Sequence, residues 1–484
     1  MHPPLRIRRG PLPLEATAAL AIAAFVAFFA LHAFRWPWVG DVHLYLAAVA
    51  EKMRDPATLR HEAALAPAAA SHVYSPYISA VAWIGRALDT DPYRALQIAA
   101  VANLALYAAA MIAFARRWSA WSRGSLVPAA MLLYVTAFLR DRAYAWSSDT
   151  SFVGLRLISA YPSMLAWSLA LLAFAVVDRK RAAPMLFALL ALLFQIHLIT
   201  GAWVAGIVLL RARRRLDVVL AVAIAVLVCK SGIEHSLAFT AIAEGPPFAG
   251  RALSTFTRLL IIATPAALYF ASRGRHRFTL VAMFATLAGL LVFRATEISF
   301  GERFGLFYGL FPAIIVADAA ALGLARAIER KQLSALAPFV VVLLACAIAP
   351  PLRDRARRGE GLTTVFDRPS TIMAYWTRTD AYARILEPTD VVIMPSGDQA
   401  LELAAATGAR VVFSPFAYRI EDAQEREAEL ARFFEAGTDE AVRRATIAKW
   451  GATYVLAPAA IAPSLAWLGP PALVTPESTL FEAR

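Results

Sequence analysis

LEATAALAIAAFVAFFALHAFRWPWVGDVHLY, residues 14–45, sets a long apolar run directly against a short polar corner. Residues 14–34 suffice to cross a bilayer as one helix, because about 20 apolar residues rising 1.5 Å each span a core of roughly 30 Å. Arg6, Arg8 and Arg9 precede the run. Positive-inside bias therefore puts the N-terminus in the cytoplasm and Asp41 on the outer side. The run is too long for a signal-peptide core and lacks a convincing small-residue cleavage site, so it reads as a retained anchor. Beyond it, Val39-Gly40-Asp41-Val42-His43-Leu44-Tyr45 holds a carboxylate and an imidazole at the water boundary. That is a poor lipid anchor and a suitable reactive corner.

The rest of the chain follows the same texture. It has 484 residues, 60% hydrophobic and 17% charged, with mean hydropathy +0.57. These values lie outside the range of soluble domains. The net charge of +13 is mostly arginine and is clustered. Such clusters at loop ends report membrane orientation, and no nucleic-acid partner is expected. Cys229 and Cys346 both sit in apolar runs, which suggests neither a disulfide framework nor a zinc site.

Two short helices follow the first span. Residues 41–53 are mixed in character, and residues 75–88 carry Arg86 and reach only about 21 Å, too short to cross. Both read as interfacial helices on the outer leaflet, within a first outer loop of residues 36–91. Spans are expected at 93–115, 125–139 and 161–177. The apolar run 184–210 allows one long helix or two short ones breaking near His197-Leu198-Ile199-Thr200-Gly201. The hairpin is preferred, because it returns Arg211, Arg213, Arg214 and Arg215 to the cytoplasmic side. Further spans are expected at 216–233, 254–271, 278–293, 304–325 and 336–349. The total is about 11 transmembrane helices within residues 1–350, with nearly every basic cluster on one side.

After Pro350-Pro351, a linker and helix occupy 351–386, and the texture changes in 387–484. Short apolar runs at 390–395, 410–414 and 453–457 read as strands. Residues 398–407, 421–435 and 438–450 read as helices, the first ending at Gly408 and the third at Gly451. Residues 472–474 and 479–482 suit a final hairpin. The alternation predicts a small α/β extracytoplasmic domain, on Asp41's side by the parity of spans. Pro395-Ser396-Gly397-Asp398 has a single glycine and reads as a helix cap rather than a phosphate loop.

This layout resembles the integral-membrane glycosyltransferases of the GT-C superfamily, especially the protein-mannosyltransferase and lipid A aminoarabinose-transferase branch. The resemblance rests on the single first span and the outer loop opening with Asp41 and Tyr45. It rests also on Tyr74-Ser75-Pro76-Tyr77 before the second interfacial helix, and on Glu387-Pro388-Thr389-Asp390-Val391-Val392-Ile393 and Trp450-Gly451-Ala452-Thr453-Tyr454-Val455 in the last domain. It covers the whole chain in layout, through short motifs. It implies a bacterial inner-membrane enzyme that transfers a sugar from a polyprenyl-phosphate donor to a lipid, glycan or protein acceptor, with inversion. Many relatives carry two adjacent acidic residues after the first span, whereas Val42 follows Asp41 here. A second carboxylate would come from Asp141 or Asp149, and no divalent metal is required by the sequence.

The roles then fall as follows. Asp41 is the expected general base on the acceptor hydroxyl, a role compatible with capping the next helix. His43, Tyr45, Tyr74, Asp141, Arg142 and Asp149 are candidates for substrate binding, since carboxylates bind sugar hydroxyls and flat rings stack on a pyranose. His43 and the aromatics have an equally simple reading as interfacial residues. Charge growing on the leaving phosphate calls for cations near the outer surface. Arg294 and Arg303, flanking Glu297, and Lys230 are the candidates; pairing with nearby glutamates is the plainer reading. His197 reads as a structural hydrogen-bonding residue at the hairpin turn. A transporter is disfavoured, with no inverted repeat in view, and a non-catalytic binder of lipid-linked glycan or of a partner protein is the alternative.

Overall fold

The computed structural model describes residues 12–35, 42–57, 75–121, 124–138, 150–151, 154–155, 158–212, 214–230, 233, 257–295, 307–329, 381–395, 397–413 and 422–483. They fall into two compact units. One comprises Met1–Trp36 with Ala100–Arg368, the other Pro37–Ala99 with Pro369–Arg484. The second unit is discontinuous in sequence: it joins the first outer loop to the C-terminal domain.

The first unit is helical. Its described helices are α1 (Leu12–Arg35), the later part of α4 (Pro92–Trp118), α5 (Val127–Phe138), α6 (Pro162–Val176), α7 (Ala183–Ile196), α8 (Leu198–Arg211), α9 (Leu216–Val228), α10 (Thr257–Ser272), α11 (Arg277–Ala295) and α12 (Leu310–Glu329). The expected span at 336–349 lies outside the described residues. Among the described residues three helices are long and apolar enough to cross a membrane, at Leu14–Phe34, Pro92–Trp118 and Leu310–Ala327, and seven shorter ones are also apolar.

Large apolar side chains line much of the described outside of this unit. On α9, Leu216, Leu220, Ile224 and Leu227 are all exposed and follow one another at helical spacing, and Ile261, Leu268, Phe284 and Leu291 extend the pattern to α10 and α11. Apolar surface on this scale is unstable in water and natural in lipid. Inside, aromatics fill the centre. Trp203 stacks on Phe307 at 4.5 Å and meets Trp167 and Phe174 edge-on. Its indole N–H donates to Thr286 Oγ1 at 3.0 Å, which satisfies the one polar atom that burial of the ring would orphan.

Among the described residues, Arg117, Arg211 and Arg215 gather at one end of the bundle. Asp178, just after α6, lies 2.7 Å from Arg117 Nη2 and 2.9 Å from Arg211 Nη2. Arg211 also lies over the Phe278 ring at 4.6 Å, and Arg215 donates to the carbonyls of Val177 and Arg179. Asp178 precedes α7 and Arg211 ends α8, so the two helices return the chain to the end it left. The choice between one long helix and a hairpin is thereby decided for the hairpin. His197 makes the turn: its Nδ1 accepts from the Thr200 amide and contacts Thr200 Oγ1 at 2.7 Å, capping α8.

A second buried cluster pins the same end. Asp318, inside apolar α12, lies 2.8 Å from His276 Nε2 and accepts from Ser119 Oγ and the Ala120 amide. Both side chains of the pair are buried. His276 adopts a left-handed backbone (φ +55°) two residues after Gly274 (φ +69°), turning α10 into α11. The lone carboxylate in an apolar run is thus fully engaged, as a buried charge must be.

The second unit contains α2 (Val42–Arg54), α3 (Pro76–Ala87), the start of α4, and the C-terminal domain. That domain has β1 (Val391–Ile393), α13 (Asp398–Thr407), β2 (Arg410–Val411), α14 (Ala423–Phe433), α15 (Glu440–Trp450), β3 (Tyr454–Pro458), β4 (Pro471–Val474) and β5 (Ser478–Glu482). The sheet order is β2-β1-β3-β5-β4. β1 pairs in parallel with β2 and β3, while β5 pairs antiparallel with β3 and β4. Each expected strand and helix of the domain is present, and the last two strands form the expected hairpin. Gly408 and Gly451 end α13 and α15 in the left-handed conformation, where a Cβ would be strained. Arg443 holds the domain's helical layer. Its buried guanidinium donates to the carbonyls of Phe433, Glu435 and Ser464.

Candidate functional site

The corner after the first span is organised by α2. The helix packs between α3 and α13, and residues 42–44 and 46–52 are buried. Its polar residues had suggested a helix lying open at the leaflet; instead, protein covers most of it. The reason is pairing: polar groups tolerate burial when partnered. His43 Nδ1 lies 2.7 Å from Glu402 Oε1 of α13, both side chains nearly inaccessible. At the far end Arg54 Nη2 donates to the carbonyls of Ala404 (3.0 Å) and Ala405 (2.9 Å). A cation there satisfies the C-terminal carbonyls of α13 and complements its dipole. Close packing of Arg54 on Gly408 leaves a Cβ at that position only 3.0 Å from Nη1.

α3 behaves differently. Tyr77, Ile78 and Val81 are buried, whereas Trp83 is 70% exposed and Arg86 is exposed beside it. An aromatic and an arginine on the open face of a short helix suit a lipid interface.

The helix that begins immediately after Asp41 is therefore fixed at both ends to the C-terminal domain. Asp41 itself, with Tyr74, Asp141, Arg142, Asp149, Glu297 and Arg303, lies outside the described residues. Tyr45 is half-buried on α2. Lys230 is exposed, two residues past the end of α9 at Val228. Arg294 is the penultimate residue of α11, close to a helix end as expected. Among the described residues no group of three His, Cys, Asp or Glu side chains converges as a metal site.

Two features escaped the sequence reading. Glu402 sits in the apolar helix Leu401-Glu402-Leu403-Ala404-Ala405, and a carboxylate so placed signals a buried partner. Asp318, alone in its apolar run, carried the same signal. Two groups outside the apolar helices have displaced pKa values. Burial raises the Asp178 carboxyl, but bonds and charge from Arg211 and Arg117 outweigh it, holding the group below the usual aspartate range. Lys449 is pushed up by Glu425 and Glu429.

No protein-family model matches this chain, and no curated protein matches it. Solved structures do. The crystal structure of ArnT from Cupriavidus metallidurans bound to undecaprenyl phosphate is similar over 97% of this chain and 98% of that one, with TM-score 0.60 and 14% identity. The oligosaccharyltransferase of Archaeoglobus fulgidus in the apo form is similar over 92% and 69%, with TM-score 0.47 and 13% identity. At these identities the likeness is one of fold. The whole-chain layout expected from the sequence matches the ArnT fold along almost its entire length.

Proposed function

We propose that this chain is a glycosyltransferase of the bacterial inner membrane, with about eleven membrane helices, a cytoplasmic N-terminus and the C-terminal domain outside. It moves a sugar from a polyprenyl-phosphate donor to a lipid, glycan or protein acceptor. The observation that carries this reading is the full-length fold likeness to a protein whose structure holds undecaprenyl phosphate. The docking of α2 on the C-terminal domain supports it, because it gives the residue after Asp41 a rigid support.

In the reaction, the acceptor oxygen forms a bond to the anomeric carbon as the bond from that carbon to the phosphate oxygen breaks. The acceptor proton goes to the Asp41 carboxylate and then to water. Polyprenyl phosphate leaves with the bonding pair, its charge met by cations at the outer helix ends, Arg294 and Arg303 first, with Lys230 as a further candidate. His43 supports α2 through Glu402; substrate contacts fall to Tyr45, Tyr74, Asp141, Arg142 and Asp149.

The test uses purified protein in nanodiscs with a panel of polyprenyl-phosphate sugars. Wild type should release polyprenyl phosphate, and Asp41→Asn should be slower by about 10²-fold or more, the scale of a lost general base. Binding of the donor with no release by either protein would instead favour a non-catalytic glycan-binding role.

A further inference from the structure

The C-terminal domain contains a cavity of about 260 Å³ at the carboxyl ends of β1 and β3. Met394 and Pro395, just past β1, form one wall, and Leu456–Pro458 of β3 form another. The place is not arbitrary. From β1 the chain passes through α13 to β2 on one side, then through α14 and α15 to β3 on the other. Connections that diverge from neighbouring parallel strands leave a crevice outside their carboxyl ends, where open α/β sheets bind ligands.

The lining defines the ligand. Two chain segments bring a row of hydroxyls together: Tyr382 contacts Ser478 Oγ at 2.6 Å, and in the β4–β5 turn Ser478 Oγ contacts Thr475 Oγ1 at 3.0 Å. Thr475 Oγ1 is closed on the Ser478 main chain, donating to its carbonyl and accepting from its amide, so the capacity for a partner lies at the Tyr382 end of the row. Gln399 adds an amide and Glu477 a carboxylate, over a floor of buried Met394, Leu456 and Ala457. Among the described lining residues there is no lysine, arginine or histidine, a composition unsuited to a phosphate. Hydroxyls, an amide and a carboxylate beside an apolar floor match one uncharged sugar ring, with its polar rim and C–H face.

We propose that this cavity is a binding subsite for one neutral sugar ring of a glycan. Its use as the acceptor subsite rests on the transferase reading above; the binding itself does not. One helix also links the cavity to the support of α2. Gln399 lies in the first turn of α13, Glu402 follows one turn later against His43, and Arg54 holds the helix's last carbonyls.

The full chain in nanodiscs, titrated with methyl glucoside, methyl mannoside, methyl galactoside and N-acetylglucosamine by saturation-transfer NMR, tests this. At least one ring should bind, with inorganic phosphate unable to compete. Glu477→Gln and Gln399→Ala, both at exposed positions, should each weaken binding by about tenfold, the value of one hydrogen bond to a charged or polar group. Tyr382→Phe should act in the same direction. Silence from all four sugars, competition by phosphate, or unchanged affinity in Glu477→Gln and Gln399→Ala would each overturn the proposal. Release of polyprenyl phosphate is read separately, so loss of turnover in Asp41→Asn with sugar binding retained distinguishes the two claims.

Discussion

The two units solve opposite solvent problems with one chain. In the helical unit, leucines and isoleucines face outward on α9, α10 and α11, and the buried polar groups are held in small closed sets such as Asp318, His276 and Ser119. In the unit formed by the first loop and the C-terminal domain, charged residues cover the helices while single arginines are buried on carbonyls. The difference teaches where each unit lives: lipid rewards the first pattern and water the second. It also shows why α2 misled. Its mixed sequence matches an interface, but its polar side chains serve a protein–protein seam within the second unit.

The contrast can be broken most forcefully at Arg443. Arg443→Ala removes the donor of three carbonyls, one of them buried, and empties the space of a buried guanidinium, so it should destabilise the C-terminal domain by about 3 kcal/mol or more. Limited proteolysis should then cut residues 422–483 while the helical unit stays intact; simultaneous loss of both would contradict their independence. Asp318→Ala does the converse. It leaves His276 and Ser119 without their acceptor and should cost the bundle about 2–3 kcal/mol, read by thermal unfolding in detergent, with sugar binding by the C-terminal domain unaltered.

A subtler probe sharpens the seam. A double-mutant cycle of His43→Ala and Glu402→Ala should give a coupling of about 1–2 kcal/mol, within the range for contacting residues. A value near zero would mean that the 2.7 Å approach does not hold α2. The smallest effect belongs to Asp178→Asn. The Asp178 carboxyl is partly open to solvent, so its pairing contributes roughly 1 kcal/mol or less. Because its folded pKa lies below the ordinary aspartate value of about 3.9, that contribution is present at neutral pH. It should fade only as the pH falls below about 4 toward the folded value. Stability that instead fell between pH 6 and 8 in wild type but not in Asp178→Asn would refute this.

Much of the fold was legible because it follows from local chemistry. Gly408 and Gly451 marked helix ends, the apolar runs marked helices, and the clustered arginines favoured the hairpin at His197. The partners across sequence were not legible. Nothing local to His43 points 359 residues ahead to Glu402, and Arg54 carries no mark of the helix it caps. The cavity was equally hidden, since its hydroxyls come from residues 382, 475 and 478, each unremarked alone. Of the candidate site, His43, Tyr45, Lys230 and Arg294 fall on described residues, and His43 gains a structural role there.

Which side the second unit occupies decides whether Asp41 can meet a donor on the outer face. In a variant with Cys229 and Cys346 replaced by serine, a cysteine at Glu427 and another at Lys180 should be labelled separately by a membrane-impermeant maleimide on intact cells. Labelling at 427 from outside, and at 180 only after permeabilisation, is expected. Labelling of both from the same side would contradict it.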